Sequence, residues 1–332
     1  MSWIRCYYNI KEGIDINFFD LFAGIGGFRM GLENTGHKAV GWCEFDKFAQ
    51  KSYKAIYNTE GEYFNEDARK IIPKELPDFD ILAAGFPCQS FSIAGKRKGF
   101  EDTRGTLFFE IARIARKKLP KILLLENVKG LLNHSNGETF LKILQTLDEL
   151  GYDAEWQVLN SKHFGVPQSR ERVFIIGHLR EKSSGQIFPI RRKTKGTLKQ
   201  NVSGSQGYRV YDSSGTSCTL AGEAGGLGAK TGLYNVKACI TPNRLNKRQN
   251  GRRFKENEEE MFTINTQDRH GVAINNERIR KLTPKETWRL QGFPDWAFEK
   301  AAEINSDNQL YRQAGNSVTV NVVEAIGKRL GD

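Results

Sequence analysis

The chain has 332 residues, of which 39% are hydrophobic and 27% charged, and its formal net charge is +11. This length fits one large or two modest domains, and no stretch approaches the ~20 consecutive apolar residues of a membrane span. The first residues lack the basic stretch and apolar core of a signal peptide, so we expect a cytoplasmic protein without a membrane partner. The five cysteines are widely spaced, which indicates neither a disulfide framework nor a metal site.

The first half of the chain alternates strand and helix patterns. Buried apolar runs predict strands at residues 16–22, 79–84, 121–125 and 172–176. Apolar spacing predicts two helix faces between them, formed by Leu107, Phe108, Ile111 and Ile114 and by Phe140, Leu141, Leu144 and Leu147, the second helix ending at Gly151. This alternation predicts an α/β fold with a doubly wound, mostly parallel sheet.

The segment from residue 185 to residue 276 has a different composition, rich in Gly, Ser, Thr, Asn and Arg. We expect it to form a smaller, irregular β-rich domain, beside a catalytic domain of residues 1–184 completed by residues 277–332. Between Gly185 and Asn275 there are fifteen basic and seven acidic residues. This excess favours a polyanionic partner, nucleic acid first, over the alternative of a generic solvated surface.

The compact pattern returns near the C-terminus. Thr283, Pro284 and Glu286 occupy the N-cap, first and third positions of a predicted helix. A last helix is predicted from about Ser317 to Arg329.

The turn at residues 20–28 follows the first predicted strand and contains three glycines. Glycines there let the backbone approach a cofactor closely, although a merely tight turn would also explain them. The dinucleotide fingerprint needs a further glycine where this chain has Arg29, which disfavours pyrophosphate binding. Glu44 can accept from two ribose hydroxyls, Phe45 can stack on adenine, and Asp67 can accept from the adenine amino group. Together these residues suggest an adenosyl cofactor without a pyrophosphate.

A cysteine follows the predicted strand 79–84, in the sequence Gly85-Phe86-Pro87-Cys88-Gln89-Ser90. An isolated cysteine is usually a buried packing residue, but Pro and Gln are poor core residues, so we expect the Cys88 thiol to face the active-site crevice. The strand 121–125 ends at Glu126, and the adjacent position in the sheet would bring that carboxyl group close to Cys88. A thiolate beside a carboxylic acid suits attack on an electron-poor ring whose nitrogen must be protonated.

Two guanidinium groups, those of Arg170 and Arg172, stand at the start of another predicted strand, where a surface hairpin is the alternative interpretation. Taken in order, all these segments resemble the bacterial DNA cytosine-5 methyltransferases of restriction–modification systems. The resemblance also includes residues 289–294 (Arg-Leu-Gln-Gly-Phe-Pro) and 313–318 (Gln-Ala-Gly-Asn-Ser-Val), and it extends from about Asp15 to the C-terminus. It implies the S-adenosylmethionine-dependent methyltransferase fold with a target-recognition domain.

The resemblance implies S-adenosyl-L-methionine as the cofactor, lying across the first turn. The residues it implies in binding are Phe22, Gly24, Ile25, Gly27, Glu44, Phe45, Asp67, Pro87, Leu107, Asn316 and Ser317.

The resemblance also implies a covalent mechanism. Cys88 would attack carbon 6 of a cytosine while Glu126 donates a proton or hydrogen bond at N3, which makes carbon 5 nucleophilic toward the methyl group. Arg172 would bind the cytosine O2, and Arg170 and Asn127 would support the arrangement.

Carbon 6 is unreachable inside a duplex, so the resemblance implies double-stranded DNA with a flipped cytosine. Residues 89–104 would form a lid over that base, Gln206 would fill the vacated space, and Arg209 would read a guanine. The residues implied in DNA contact are Gln89, Ser92, Lys96, Arg97, Gln206, Arg209 and Thr219.

Three alternatives remain open at this point. A tRNA cytosine-5 methyltransferase can share the catalytic core, but that branch lacks a large basic insertion before the closing motifs. A DNA-binding module with an inactive core and a nicotinamide oxidoreductase are the other two. We expect a monomer, associated with the nucleoid of a bacterium or with a phage, protecting DNA beside a cognate restriction endonuclease that acts independently.

Overall fold

The structure is a computed structural model that describes residues 16–86, 107–166, 168–182, 185–190 and 283–330, with the backbone of short strands between residues 200 and 279. Its first eight strands are β1 (Asn17–Leu21), β2 (Lys38–Cys43), β3 (Tyr63–Asn65), β4 (Ile81–Gly85), β5 (Ile122–Val128), β6 (Tyr152–Asn160), β7 (Gln168–Ser169) and β8 (Glu171–Leu179). Seven of them form one sheet in the order β3-β2-β1-β4-β5-β8-β6.

The sheet is mostly parallel. Strands β3, β2, β1, β4 and β5 run in one direction, whereas β8 runs antiparallel to both β5 and β6. The predicted α/β class with a mostly parallel sheet is therefore confirmed. Strand β6 was not predicted, because polar residues such as Glu155 and Gln157 interrupt its apolar pattern at the edge of the sheet.

Helices cover both faces of the sheet, which confirms the doubly wound arrangement. They are α1 (Gly27–Glu33), α2 (Lys47–Ile56), α3 (Leu107–Lys118), α4 (Glu138–Glu149), α5 (Pro284–Leu290), α6 (Asp295–Ala302), α7 (Asp307–Asn316) and α8 (Val320–Leu330). Helices α3 and α4 pack on one face with Phe19, Leu82 and Leu123, while α1 and α8 pack on the other face with Phe18 and Ile81. Successive strand residues thus enter opposite cores, as the two-residue period of a strand requires.

A third core joins the C-terminal helices to the beginning of the chain. Trp42 and Tyr53, from β2 and α2, are buried with Trp288, Leu310 and Ala314 from α5 and α7. Because of this core, the segment that follows α7 lies next to the turn after β1.

Several predicted boundaries need correction. Strand β5 continues to Val128 and pairs with β8 along its whole length, so Glu126 lies within the strand rather than after it. On α4, Leu141 is 55% exposed, and Ile143 takes the buried position that was assigned to it. The last helix begins at Val320 instead of Ser317. The capping box at Thr283 and Glu286 is confirmed.

The six residues 185–190 pack against the seven-stranded sheet. Ile187, Phe188 and Ile190 are buried with apolar residues of the sheet, and Glu155 accepts hydrogen bonds from the backbone N–H groups of Ile187 and Phe188. The division into two domains at residue 185 stays a prediction. In the part of the chain that the structure describes, no helix is both long and apolar enough to cross a membrane.

Short strands follow between residues 200 and 279. They are β9 (Gln200–Val202), β10 (Val210–Tyr211), β11 (Ser217–Cys218), β12 (Leu233–Tyr234), β13 (Lys237–Ile240), β14 (His270–Ile274) and β15 (Arg278–Ile279).

Candidate active site

The turn after β1 has three glycines, and each meets a different environment. Phe22 and Gly24 both have positive φ angles, 60° and 57°. A Cβ added to Gly24 would meet nothing within 4 Å, whereas one added to Gly26 would lie 2.4 Å from the Tyr57 ring. The turn is therefore open at Gly24 and tightly backed at Gly26. The side chain of Ile25 is buried in the third core.

Gly27 is the point where the C-terminal segment meets the turn. A Cβ on Gly27 would lie 2.6 Å from the Val318 carbonyl oxygen and 2.7 Å from Ser317 Oγ. Ser317 is buried, and the neighbouring Asn316 is exposed at the end of α7. Because Gly27 has no side chain, Ser317 and Val318 can lie directly against the turn.

We expect Gly27→Ala to destabilise the protein by about 1–3 kcal/mol, because the added methyl group has no space and all three of its nearest atoms belong to the backbone or to buried side chains. Urea denaturation measures this loss. Gly130→Ala is the matched control, since a Cβ there meets only Val128, at 4.0 Å, and its effect should stay within about 0.5 kcal/mol. Equal stability of the two variants would contradict the close packing at Gly27.

Glu44 connects the turn to the end of β2. Its Oε2 accepts from the Gly24 N–H at 2.7 Å, and its Oε1 accepts from the Asp46 N–H at 2.7 Å. Burial raises the pKa of this carboxyl group, and the two backbone N–H groups oppose that shift. An ionised carboxylate has about four lone-pair positions, so it can still accept two hydroxyl groups.

Phe45 and Asp67 each follow the end of a strand, Phe45 after β2 and Asp67 after β3. The Phe45 ring is 70% exposed, so one of its faces is available for stacking. Asp67 follows β3 and accepts several hydrogen bonds from Arg69, the shortest at 2.7 Å, and these bonds lower the pKa of Asp67. The Arg69 guanidinium carbon lies 6.0 Å from the centre of the Phe45 ring. Leu107 begins α3 and is half-buried.

Asp20, in β1 before the turn, is fully buried. Its Oδ2 accepts from the Tyr53 hydroxyl at 3.3 Å, while its Oδ1 has no partner among the described residues. Burial raises the pKa of Asp20 to about 8, against the opposing charge of Arg29. Asp20 is therefore a neutral carboxylic acid near pH 7.

This pKa predicts how stability depends on pH. Between about pH 4 and pH 8 the folded protein retains a proton that the unfolded chain has released, so the free energy of unfolding falls as pH rises, by up to about 1.4 kcal/mol per pH unit. Asp20→Asn removes this contribution and leaves the other carboxyl groups in place. We measure the free energy of unfolding of both proteins by urea denaturation from pH 5 to pH 9. Up to about pH 8 we expect the wild-type value to fall relative to that of the variant, and above pH 8 we expect the two curves to run parallel. Parallel curves over the whole range would contradict the buried neutral acid.

Glu126 lies in β5, in register with Gly85 of β4 and Phe174 of β8. Its side chain is 12% exposed, and its Oε1 is 3.1 Å from Nε of Arg172. A Cβ on Gly85 would approach Glu126 Oε2 to 3.3 Å, so the glycine leaves space for the carboxyl group. Burial raises the pKa of Glu126, and the charges of Arg172 and Arg170 partly oppose the shift. The site therefore contains a buried carboxyl group that binds a proton more readily than an exposed one does.

Asn127 holds the backbone where β4 ends. Its Nδ2 donates to the Phe86 carbonyl at 2.8 Å, and its Oδ1 accepts from the Val128 N–H at 2.8 Å. Because the side chain is buried and both ends are bonded, Asn127 fixes the peptide two residues before Cys88.

The surface-hairpin interpretation of Arg170 and Arg172 is wrong. Arg170 is 3% exposed, and its guanidinium donates to the carbonyl groups of Gly315 at 3.0 Å and Ser317 at 2.9 Å. The Arg172 side chain is 16% exposed and contacts Glu126. Arg170 therefore joins the hairpin to the C-terminal segment, and Arg172 faces the buried carboxyl group.

The structure also contains site residues that the sequence reasoning missed. Gln291 donates to the Ala314 carbonyl at 2.6 Å and accepts from the Thr319 hydroxyl at 2.9 Å. Gln168 donates to the Leu290 carbonyl at 2.7 Å. Gln291 thus holds the residues on both sides of Asn316, and Gln168 holds the end of α5 next to Gln291. The available signal was their place in the sequence, Gln291 within the Arg-Leu-Gln-Gly-Phe-Pro segment and Gln168 two residues before Arg170.

Nine of the predicted site residues lie outside the described residues. They are Pro87, Cys88, Gln89, Ser92, Lys96, Arg97, Gln206, Arg209 and Thr219.

Comparison with known proteins shows which family the chain resembles. The family model of the C-5 cytosine-specific DNA methylases matches residues 16–332. The type II methyltransferase M.SsoII of Shigella sonnei is 41% identical over 97% of this chain and 82% of its own length. The type II methyltransferase M.HhaI of Haemophilus parahaemolyticus is 35% identical over 97% of this chain and 96% of its own length. The orphan methyltransferase M.SPRI of Bacillus phage SPR is 36% identical over 95% and 97%.

Solved structures share the fold at lower identity. The methyltransferase EhMeth of Entamoeba histolytica superposes with a TM-score of 0.63 and 18% identity over 96% of this chain and 98% of its own. The Dnmt2 methyltransferase of S. pombe gives a TM-score of 0.60 and 19% identity over 93% and 96%.

Proposed function

Since the chain belongs to the C-5 cytosine-specific DNA methylase family and is a DNA (cytosine-5-)-methyltransferase, we propose that it methylates a flipped-out cytosine in a short double-stranded DNA sequence through a covalent bond between Cys88 and carbon 6. The observation that carries the proposal is the buried Glu126 carboxyl group. It lies in register with Gly85, three residues before Cys88, and contacts Arg172.

The residues around the first turn fit S-adenosyl-L-methionine. The open space at Gly24 gives room for the cofactor, the free face of Phe45 can take an adenine ring, and the remaining lone pairs of Glu44 can accept ribose hydroxyls. When bound there, the cofactor supplies a methyl group activated on a sulfonium sulfur. Ser317 lies beside Gly27 of the turn, and Asp67 is linked to Phe45 through Arg69. We propose that both belong to the cofactor site, together with Leu107, Asn316 and Pro87.

The proposed reaction begins at Cys88. Its thiolate forms a bond to carbon 6 of the cytosine, and Glu126 provides a proton or hydrogen bond at N3, so the electron pair displaced from the ring double bond becomes available at carbon 5. Carbon 5 would then take the methyl group, and the electron pair of the broken bond between carbon and sulfur would stay on the sulfur of the cofactor. A base, which water can supply, removes the proton from carbon 5, and the bond between sulfur and carbon 6 breaks to restore the thiolate. A proton that was transferred to N3 returns to Glu126, which leaves the neutral methylated base.

The surroundings of Glu126 support its part in this reaction. Burial raises its pKa and thereby favours the protonated form that N3 requires. Arg172 contacts Glu126 Oε1, and we assign to it the binding of O2 of the same ring, while Asn127 holds the Phe86 carbonyl before the cysteine. Three residues of extended chain span at most about 11 Å, so chain length alone keeps Cys88 in the neighbourhood of Gly85 and Glu126.

Bisulfite sequencing of plasmid DNA from a host that expresses the protein tests this function. We expect every copy of one short sequence to carry 5-methylcytosine at a fixed position, and none in a host that carries the empty vector. Methylated transfer RNA with unmethylated plasmid DNA would favour the tRNA methyltransferase alternative and contradict the proposal.

The biological role is a separate part of the proposal. We place the enzyme in restriction–modification protection, which the similarity to type II methyltransferases supports, whereas the similarity to orphan phage methyltransferases supports methylation without a partner nuclease. The test is whether plasmid DNA from expressing cells resists a panel of restriction endonucleases with known recognition sequences, together with a search for a nuclease activity in the source cells that cuts only unmethylated DNA.

A further inference from the structure

A buried tyrosine supports the glycine turn from the side opposite to its open face. The Tyr57 hydroxyl donates to the Gly26 carbonyl at 2.7 Å and lies 3.3 Å from the Ile25 carbonyl. The Tyr57 ring also lies where a Cβ of Gly26 would be, at 2.4 Å. Tyr57 thus contacts two successive peptide groups of the turn and leaves Gly24, on the open side, untouched.

Arg29 holds the ring of Tyr57 in turn. Its guanidinium carbon lies 4.6 Å from the centre of the Tyr57 ring and 5.3 Å from that of Tyr53. Both carboxylate oxygens of Glu62 accept from Arg29 at 2.8 Å, and Glu33 accepts from its Nε at 2.8 Å. With its position fixed by two carboxylates, Arg29 acts as a rigid platform rather than a mobile surface charge.

The turn is therefore held at two points. Glu44 binds the Gly24 N–H from the front, and Tyr57 binds the carbonyl groups of Ile25 and Gly26 from behind. Gly24 and Gly26 both have positive φ angles. Glycine adopts such angles easily, but it also adopts many other conformations, so the turn alone has no strong preference for this shape. A group that fixes its carbonyl oxygens also fixes the direction of the next N–H groups, since each peptide unit is planar.

We propose that Tyr57, supported by Arg29, is a positioning residue for the cofactor: its hydroxyl keeps the turn at residues 24–27 in the shape that binds S-adenosyl-L-methionine. This inference rests on the proposed function. It predicts that removal of the hydroxyl weakens cofactor binding and leaves the chemical step unchanged once the cofactor is saturating.

The test compares Tyr57→Phe with Tyr152→Phe in the full chain. Tyr152 is a matched control, because its buried hydroxyl also donates to a backbone carbonyl, that of Pro120 at 2.8 Å, away from the turn. Isothermal titration calorimetry measures the Kd for S-adenosyl-L-methionine, and steady-state kinetics on DNA gives KM for the cofactor and kcat. We expect Kd and KM of Tyr57→Phe to rise roughly tenfold, the upper range for one lost hydrogen bond, with kcat within twofold of the wild type. Tyr152→Phe should keep all three values while losing a similar amount of thermal stability.

Two outcomes would overturn the inference. One is an unchanged Kd in Tyr57→Phe, and the other is an equal rise in both variants, which would indicate a general loss of stability. Arg29→Lys provides a second test, because lysine keeps the charge but loses the planar group under the ring, and it should raise Kd in the same direction with kcat retained. If the wild type itself binds no S-adenosyl-L-methionine, the proposed function fails and this inference falls with it; if the wild type binds and the variants bind equally well, only this inference fails.

Discussion

Cys88→Ala should abolish methyl transfer. Alanine cannot form the bond to carbon 6, and without that bond neither carbon 5 nor the methyl donor is reactive enough for the transfer. We expect incorporation of radiolabelled methyl groups into DNA to fall at least 10³-fold, to the background of the assay, because a nucleophile that opens a covalent pathway contributes on this scale. Binding of S-adenosyl-L-methionine, measured by calorimetry, should stay within about twofold of the wild type.

Cys43→Ala is the control for this variant. Cys43 is buried at the end of β2, and burial raises the pKa of its thiol to about 12, so it has almost no thiolate at neutral pH. This variant should retain methyl transfer and should lose only some stability. Turnover in Cys88→Ala, or its loss in Cys43→Ala with the fold intact, would contradict the assignment of the nucleophile.

Glu126→Gln should lower kcat by about 10²–10⁴-fold, the contribution expected of a general acid. Glutamine fits the same space beside Gly85 and Arg172 and can still donate a hydrogen bond, but it cannot transfer a proton to N3. Single-turnover methylation with both substrates saturating measures the effect on the chemical step. The Kd for the cofactor should not change, since Glu126 lies on β5 rather than on the turn after β1.

Glu155→Gln is the matched control. Glu155 lies in the same sheet, and its side chain is 19% exposed against 12% for Glu126. It accepts from the backbone of Ile187 and Phe188 and contacts His178. Its loss should reduce stability without a comparable fall in single-turnover rate. A similar fall in the single-turnover rate of both variants would show that disturbance of the sheet, and not loss of the proton on Glu126, lowers the rate.

The fold could be predicted from the sequence where the burial of each element leaves a simple pattern. Strands such as β1 and β4 are covered on both faces, so they are short apolar runs bounded by turn residues. Strand β6 alternates polar and apolar residues at the edge of the sheet, and its Glu155 and Gln157 side chains accept hydrogen bonds from the backbone of residues 187–190. Its sequence therefore lacks the continuous apolar run by which the other strands were predicted. On α4 the predicted face included Leu141, because apolar spacing cannot distinguish a buried leucine from an exposed one at the margin of that face.

The candidate site could be predicted where a residue type suits a chemical task next to the end of a strand. Glu44, Asp67 and Glu126 were proposed as site residues in this way. The contacts that hold the site could not, because they join residues far apart in sequence: Arg170 donates to the Gly315 carbonyl, and Tyr57 to the Gly26 carbonyl. Every residue has a backbone carbonyl group, so the amino-acid sequence does not indicate which carbonyl a side chain will bind. That partner is known only from the folded chain.

The covalent bond between Cys88 and the base is tested most directly with a duplex in which cytosine at the methylated position is replaced by 5-fluorocytosine. After methyl transfer, fluorine at carbon 5 cannot leave as a proton, so the bond between Cys88 and carbon 6 cannot break. Covalent catalysis by Cys88 predicts a protein–DNA complex that survives boiling in detergent, requires S-adenosyl-L-methionine, and yields a DNA-modified peptide containing Cys88 in mass spectrometry. Recovery of only a salt-labile complex from a preparation that methylates ordinary DNA would contradict covalent catalysis.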